Sequence, residues 1–135
     1  MRLYGFLAPG DVIADPEDKN TIGHWEGILS DPKLRYFLVE AEDLIVSTCT
    51  LTLVPNLTRG MRPYGLIENV VTDPKFRKQG LGRKVLKYAL DDAWKEGCYK
   101  VMLLTGSKRE STLRFYEKTG FKRRIKTGFV AHPID

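Results

Sequence analysis

The sequence predicts an α/β (α+β) fold: a mixed, mostly antiparallel sheet with helices on its faces. Three observations lead there. "RYFLVEA" (residues 35–41) and "LIVSTCTLTLV" (44–54) are β-branched, apolar runs parted by "ED", the pattern of a hairpin. From Gly80 the apolar spacing lengthens to a helical period. Beyond that point strand-like and helix-like runs alternate, and a strand joined to the next by a long helix implies a parallel pair with a right-handed crossover. Antiparallel strands followed by a crossover give a mixed sheet.

In chain order, "LAPGDVIADPEDKN" is rich in turn formers, and "TIGHWEGILSDP" places Ile22, Trp25, Ile28 and Leu29 at helical spacing before the stop at Asp31-Pro32, so one short helix is expected. The hairpin follows. "PNLTRGMRPYG" reads as a loop, and "LIENVVTDP" (66–74) as a strand closed by Asp73-Pro74. A helix from Gly80 presents Leu81, Val85, Leu86, Ala89, Leu90, Ala93 and Trp94 as one apolar stripe and ends at Gly97. "YKVMLL" (99–104) is a short strand, "ESTLRFYEKTG" (110–120) a second helix, and "FKRRIKTGFVAHP" a final hairpin.

At 135 residues the chain is sized for a single domain, 1–135. Twenty-two Lys and Arg against seventeen Asp and Glu leave a formal charge of +5, which favours an anionic partner without naming it. Cys49 and Cys98 are too few for a disulfide scaffold and lack metal-ligand spacing, so no metal site is expected. No apolar run approaches the roughly 20 residues that span a bilayer, and the reading is a soluble, cytoplasmic protein.

One stretch raises a question. "VVTDPKFRKQGLGRKVL" opens a helix with Gly80 and Gly82 inside a cluster of lysine and arginine. Glycine in a helix interior costs about 1 kcal/mol against alanine. An anion offsets this: the first turn offers unpaired N–H groups and the positive end of the helix dipole, and a missing Cβ lets phosphate approach. Arg77, Lys78, Arg83 and Lys84 add positive charge. The other reading is a tight turn whose glycines serve packing, with a solvated basic face. A dinucleotide fingerprint fails at Val85, and a P-loop sequence is absent.

Arg77-Lys78-Gln79-Gly80-Leu81-Gly82 resembles the R/Q-x-x-G-x-G/A signature of the GNAT N-acetyltransferase superfamily, and "FYEKTGF" (115–121) resembles that family's C-terminal helix and following strand. Together the likeness covers residues 35–131. "IENVV", "GCYKV" and "FYEKTGF" look most like the glucosamine-phosphate N-acetyltransferases. The resemblance implies acetyl-CoA as cosubstrate, its diphosphate on the amides of Arg77 to Gly82, with Arg83 beside them. Its pantetheine arm would lie along Val70, Val71 and Thr72 as an extra strand, in a slot opened where that strand parts from the next. A homodimer is implied as well.

Acetyl transfer needs a neutral amine, a polarised thioester carbonyl and a proton for the departing thiolate. An alkylammonium titrates near pH 10, so a base must remove its proton. Glu68 is the candidate by position on the strand, the alternative being a solvent-facing glutamate. A backbone N–H of Val70 or Val71 would hold the oxyanion. Tyr116 matches the family's general acid; otherwise it is a core tyrosine. The sequence departs from the family's pattern at Arg109 and Thr112, where relatives carry an asparagine, and its opening elements look shortened. The acceptor, a small-molecule or peptide amine, is not specified. Arg59 and Arg62 could receive an anionic group or belong to a solvated loop, and Trp25, Tyr36 and Tyr64 could wall a pocket or fill core. Two rivals stand beside the enzyme: a non-catalytic acyl-CoA-binding regulatory module, and a basic nucleic-acid binder. The latter is weaker because no recognition motif accompanies the charge.

Overall fold

The computed structural model describes residues 1–133, which form two compact units, Met1–Leu103 and the segment from Leu104 onward. The first unit holds α1 (Arg2–Leu7), α2 (Lys19–Ser30), β1 (Leu34–Ala41), β2 (Leu44–Val54), the short segment α3 (Thr58–Met61), β3 (Tyr64–Thr72), a 3-10 turn (Pro74–Phe76), α4 (Leu81–Lys95) and β4 (Val101–Leu103). Strand order is β1-β2-β3-β4. The first two pairings are antiparallel and the third parallel, as the crossover through α4 requires.

Local chemistry sets most of these boundaries. Ala41 pairs with Leu44 across Glu42 and Asp43, whose φ angles of 51° and 59° give a left-handed two-residue turn matched to strand twist. Asp18 caps α2 by accepting from the N–H groups of Asn20 and Thr21, and Gly97, at φ 80°, ends α4 as predicted. Gly65 is glycine for a different reason: a Cβ there would lie 2.8 Å from Leu51 Cδ1.

The core of this unit joins β2 and β3 to α4. Val46, Cys49, Leu51, Ile67, Val85, Leu86, Ala89 and Ala93 are buried, and each large aliphatic among them contributes roughly 1.5–3 kcal/mol by leaving water. Strand alternation puts Cys49 and Arg35 toward α4: Cys49 Sγ contacts Val85 O at 3.8 Å, and Arg35 Nη1 donates to Asp92 at 2.6 Å. Tyr36 turns to the opposite face, where the Trp25 ring of α2 meets it edge-on at 4.7 Å. Helices therefore cover both faces.

Three expectations need correction. Two helices precede β1 rather than one; α1 is too short and too irregular in pattern to show in sequence, and is held instead by burial of Leu3 and by Arg2. Trp94 drops out of the α4 stripe at 49% exposure, because the preceding turn already fills the sheet-facing positions. The final hairpin does not form. In the second unit α5 (Glu110–Lys118) ends before Gly120, at φ 108°, and residues 121–133 contain no strand. Ile125, Phe129 and Val130 there are 70%, 90% and 70% exposed; β-propensity without a partner to bond does not make a strand.

Candidate active site

The end of β3 departs from a regular strand in two ways. Thr50 pairs with Glu68 and Thr48 with Val71, so Asn69 and Val70 together face the single position Cys49. This is a β-bulge, with Asn69 left-handed at φ 53°; a bulge leaves backbone groups out of the ladder. On its other side β3 pairs with β4 only from Gly65↔Val101 to Ile67↔Leu103, whereas β3 itself runs on to Thr72. The parting of these strands, expected from the resemblance, is present. Glu68, exposed, sits at the fork.

Glu68 and Asn69 also line a cavity of about 230 Å³ on the α2 side of the sheet, with Ile28, Tyr36, Thr50 and Thr52 among its walls. Thr50 Oγ1 donates to Glu68 O at 3.1 Å, which fixes the backbone just before the bulge. A larger hollow of about 410 Å³ lies at the other end of the strands, between Lys33, Leu53, Met61, Pro63 and Glu96; none of the predicted site residues reaches it.

Past Thr72 the chain turns. Asp73 Oδ1 accepts from Lys75 N–H at 2.9 Å, Pro74 fits the first turn position, and Arg77 Nε donates to Thr72 O at 3.2 Å. Lys78 and Gly80 are both left-handed, at φ 61° and 78°. Gly80 is the N-cap of α4, with no side-chain cap bond and no acidic residue in the first turn. The leading amides of α4 are therefore open to an external acceptor. A Cβ at Gly80 would meet nothing within 4 Å, so Gly80 is required by its dihedral angles. Gly82, by contrast, is buried and serves packing. The two glycines thus differ in what requires them: a left-handed φ at Gly80 and burial at Gly82. Arg77, Lys78, Gln79, Gly80, Arg83 and Lys84 are exposed around the turn and Leu81 is half-buried. A diphosphate fits this donor set.

Of the two loop arginines, Arg62 is committed to structure: Nε and Nη2 donate to Gly97 O and Cys98 O at 3.0 and 3.1 Å, closing the C-terminus of α4. Arg59 lies 5.9 Å over the Tyr99 ring. Cys49 is buried, which pushes its thiol up to about 12, and Cys98 is raised by burial too. Neither is a nucleophile at neutral pH. Among the described residues no group of three or more His, Cys, Asp or Glu is placed to hold a metal, and no helix is long and apolar enough to cross a membrane.

In the second unit, Tyr116 lies half-buried on α5, its ring 5.1 Å from Phe115 and 6.2 Å edge-on from Phe121. Arg109 is the N-cap residue of α5 without a side-chain cap bond, and Thr112 Oγ1 accepts from Ser107 Oγ at 3.1 Å. Arg123 bonds Glu110 and Glu117 and, with Arg114, lowers the Glu110 carboxyl to about 2.

Sequence reasoning missed Asn69, Thr50 and Asp73. Asn69 carried a signal, since asparagine is among the few residues that accept left-handed φ.

Comparison with known proteins agrees with this geometry. Residues 3–121 match the acetyltransferase (GNAT) family. Glucosamine 6-phosphate N-acetyltransferase of Trypanosoma brucei brucei is 42% identical over 78 residues, 58% of this chain and 51% of that enzyme, so the match spans about half of that relative's length. The Arabidopsis thaliana enzyme of the same name is 33% identical over 124 residues, 92% of this chain and 81% of its own. A solved putative acetyltransferase from Agrobacterium tumefaciens str. C58 superposes with a TM-score of 0.89 at 40% identity, covering 98% of this chain and 90% of that one. With an open helix start behind a left-handed glycine, a bulged strand and a forked sheet on one side, and these matches on the other, the chain belongs to the acetyltransferase (GNAT) family.

Proposed function

We propose that this protein is an acetyl-CoA-dependent N-acetyltransferase acting on a primary amine of a small molecule or peptide. The observation that carries the reading is the uncapped start of α4, one turn beyond a strand that outruns its parallel neighbour. Acetyl-CoA supplies an activated acyl group as a thioester. The amides from Arg77 to Gly82 hold its diphosphate, those on the exposed side of the turn foremost, and Lys78 and Arg83 screen the charge. Val70, Val71 and Thr72 offer the free strand edge to the pantetheine arm.

Glu68, at the fork and on the cavity wall, takes the proton of the incoming ammonium, directly or through one water. The N–H of Val70 or Val71 steadies the oxyanion, supported by the bulge that takes this stretch out of register with β2. Tyr116 returns a proton to the thiolate; that role comes from the "FYEKTGF" likeness and the chemistry of a phenol. The relatives' names put glucosamine 6-phosphate first among acceptors to try. Arg62 is withdrawn as a phosphate receiver, since its guanidinium is spent on two carbonyls.

A homodimer and a cytoplasmic setting belong to the same reading, the second consistent with two free, buried cysteines. Thiol release from acetyl-CoA across amino sugars, their phosphates, polyamines, amino acids and peptide N-termini tests the proposal. Amine-dependent release with one class is the expected result. Tight CoA binding with no release for any amine would favour the non-catalytic acyl-CoA-binding module instead.

A further inference from the structure

We propose that Arg2 is a positioning residue for the cofactor turn: through Asp73 it fixes the way the chain leaves β3, and so holds the amides of residues 77–81 where a diphosphate can be bound. The inference rests on the acetyl-CoA reading above, and concerns a residue at the other end of the unit's sequence from any motif.

Asp73 is the pivot. Its side chain is only 5% exposed, and every polar connection it makes is structural. Oδ2 is paired with Arg2 Nη1, and Oδ1 accepts from Lys75 N–H at 2.9 Å. Its own N–H donates to Val46 O at 2.8 Å, and its carbonyl accepts from Phe76 N–H at 2.9 Å. Arg2 in turn donates from Nη2 to Ile45 O at 2.9 Å. The exit from β3 is thus bolted to the start of β2 twice, once through backbone and once through the Arg2 guanidinium, while Leu3 is buried and seats α1.

The turn needs such a restraint. Between Asp73 and α4 the chain contains two left-handed residues, Lys78 and Gly80. The lysine is held in a conformation that non-glycine residues avoid, which persists only when surroundings impose it. A carboxylate taken out of water must stay paired, and Arg2 accordingly holds the Asp73 carboxyl below its ordinary range. Without Arg2 the Asp73 carboxylate keeps only the Lys75 N–H and is relieved by moving toward solvent, a movement that carries residues 74–81 with it.

A control lies in the same unit. Arg35 bonds Asp92 at 2.6 Å and Glu96 at 3.2 Å, a part-buried ion pair that ties β1 to the far part of α4 and touches nothing in the turn. The test is calorimetry with CoA, saturation kinetics and amide hydrogen exchange on wild type, Arg2→Ala, Arg2→Lys and Arg35→Ala, with Arg2→Gln as the milder change should Arg2→Ala fail to fold. Arg2→Ala is expected to raise the CoA Kd about tenfold, as small displacements of binding groups do, with kcat at saturating acetyl-CoA within about twofold. Exchange at residues 75–81 quickens in the free protein, and Arg2→Lys recovers most of both effects. Arg35→Ala lowers Tm and leaves the CoA Kd unchanged. Wild-type affinity and exchange in Arg2→Ala, or an equal loss in Arg35→Ala, overturns the proposal while leaving the acetyl-CoA reading intact. Failure of the wild type itself to bind CoA overturns both.

Discussion

Gly80→Ala isolates one physical quantity. A Cβ at Gly80 meets nothing within 4 Å, so the substitution adds no clash, and its whole penalty is backbone. The residue sits at φ 78°, where an L side chain costs about 1–2 kcal/mol. Alanine returns roughly 0.4–1 kcal/mol by narrowing the unfolded ensemble. The net loss is about 1 kcal/mol. Unfolding entropy near 2.1 cal/mol/K per residue over 135 residues turns that into a fall in Tm of about 3–4 °C. Gly80→Asn, which accepts left-handed φ more readily, is expected to recover about half. Gly65→Ala is the contrasting case: its Cβ would meet Leu51 Cδ1 at 2.8 Å and Val101 Cγ2 at 3.2 Å, an overpacking loss of about 1–3 kcal/mol. A second change, Leu51→Val, should relieve part of that loss and none of the loss at Gly80. The assay is a thermal melt of the three single variants and of Leu51→Val alone and combined with each alanine change. Wild-type Tm in Gly80→Ala, or Asn no better than Ala, would show that the turn is not held left-handed in solution.

Tyr116→Phe is expected to lower kcat at least tenfold with little change in acetyl-CoA affinity, the size of a lost general acid; steady-state kinetics beside calorimetry separate the two. Glu68→Gln should reduce kcat/KM for the amine by about a hundredfold or more and leave CoA binding near wild type, and equal turnover with either side chain would remove Glu68 as the base. Because burial raises the Cys49 thiol to about 12, the folded state keeps its proton where the unfolded chain has already lost it. Stability therefore declines as pH rises above about 9, by up to about 1.4 kcal/mol per pH unit. Tyr4, also raised to about 12 chiefly by burial, steepens the decline from pH 10 upward. Denaturant midpoints across pH 8 to 11 check this, with Cys49→Ala flattening the part between pH 9 and 10.

Elements built from local pattern were readable from the residues. β2 occupies the expected Leu44–Val54, since alternating β-branched residues and a two-residue turn leave little choice of register. The limits of α4 follow from glycines at 80 and 97. Features created by contact between distant segments were not readable. The six residues of α1 are helical because Leu3 and Arg2 dock on β2 and the end of β3, a fact no window of sequence contains. The 121–133 run has the composition of a strand, but a strand is a property of a pair. Glu68 and the glycine turn emerged from residue chemistry aided by family likeness, and the bulge that organises Glu68 did not, although Asn69 hinted at it.

That bulge has an evolutionary corollary. Side chains on an extended strand alternate with a period of two, so a single extra residue reverses the parity of everything after it. Here the bulge absorbs that reversal: Val71 stays opposite Thr48 and is 5% exposed, and deleting Asn69 would leave Val70 alone opposite Cys49 with Val71 on the face it already holds. A deletion at this point straightens the cofactor edge, whereas an extra residue elsewhere in β3, with no bulge to take it up, would invert the faces beyond it. Lineages that lack the extra step should therefore bury the same faces along a straighter cofactor edge.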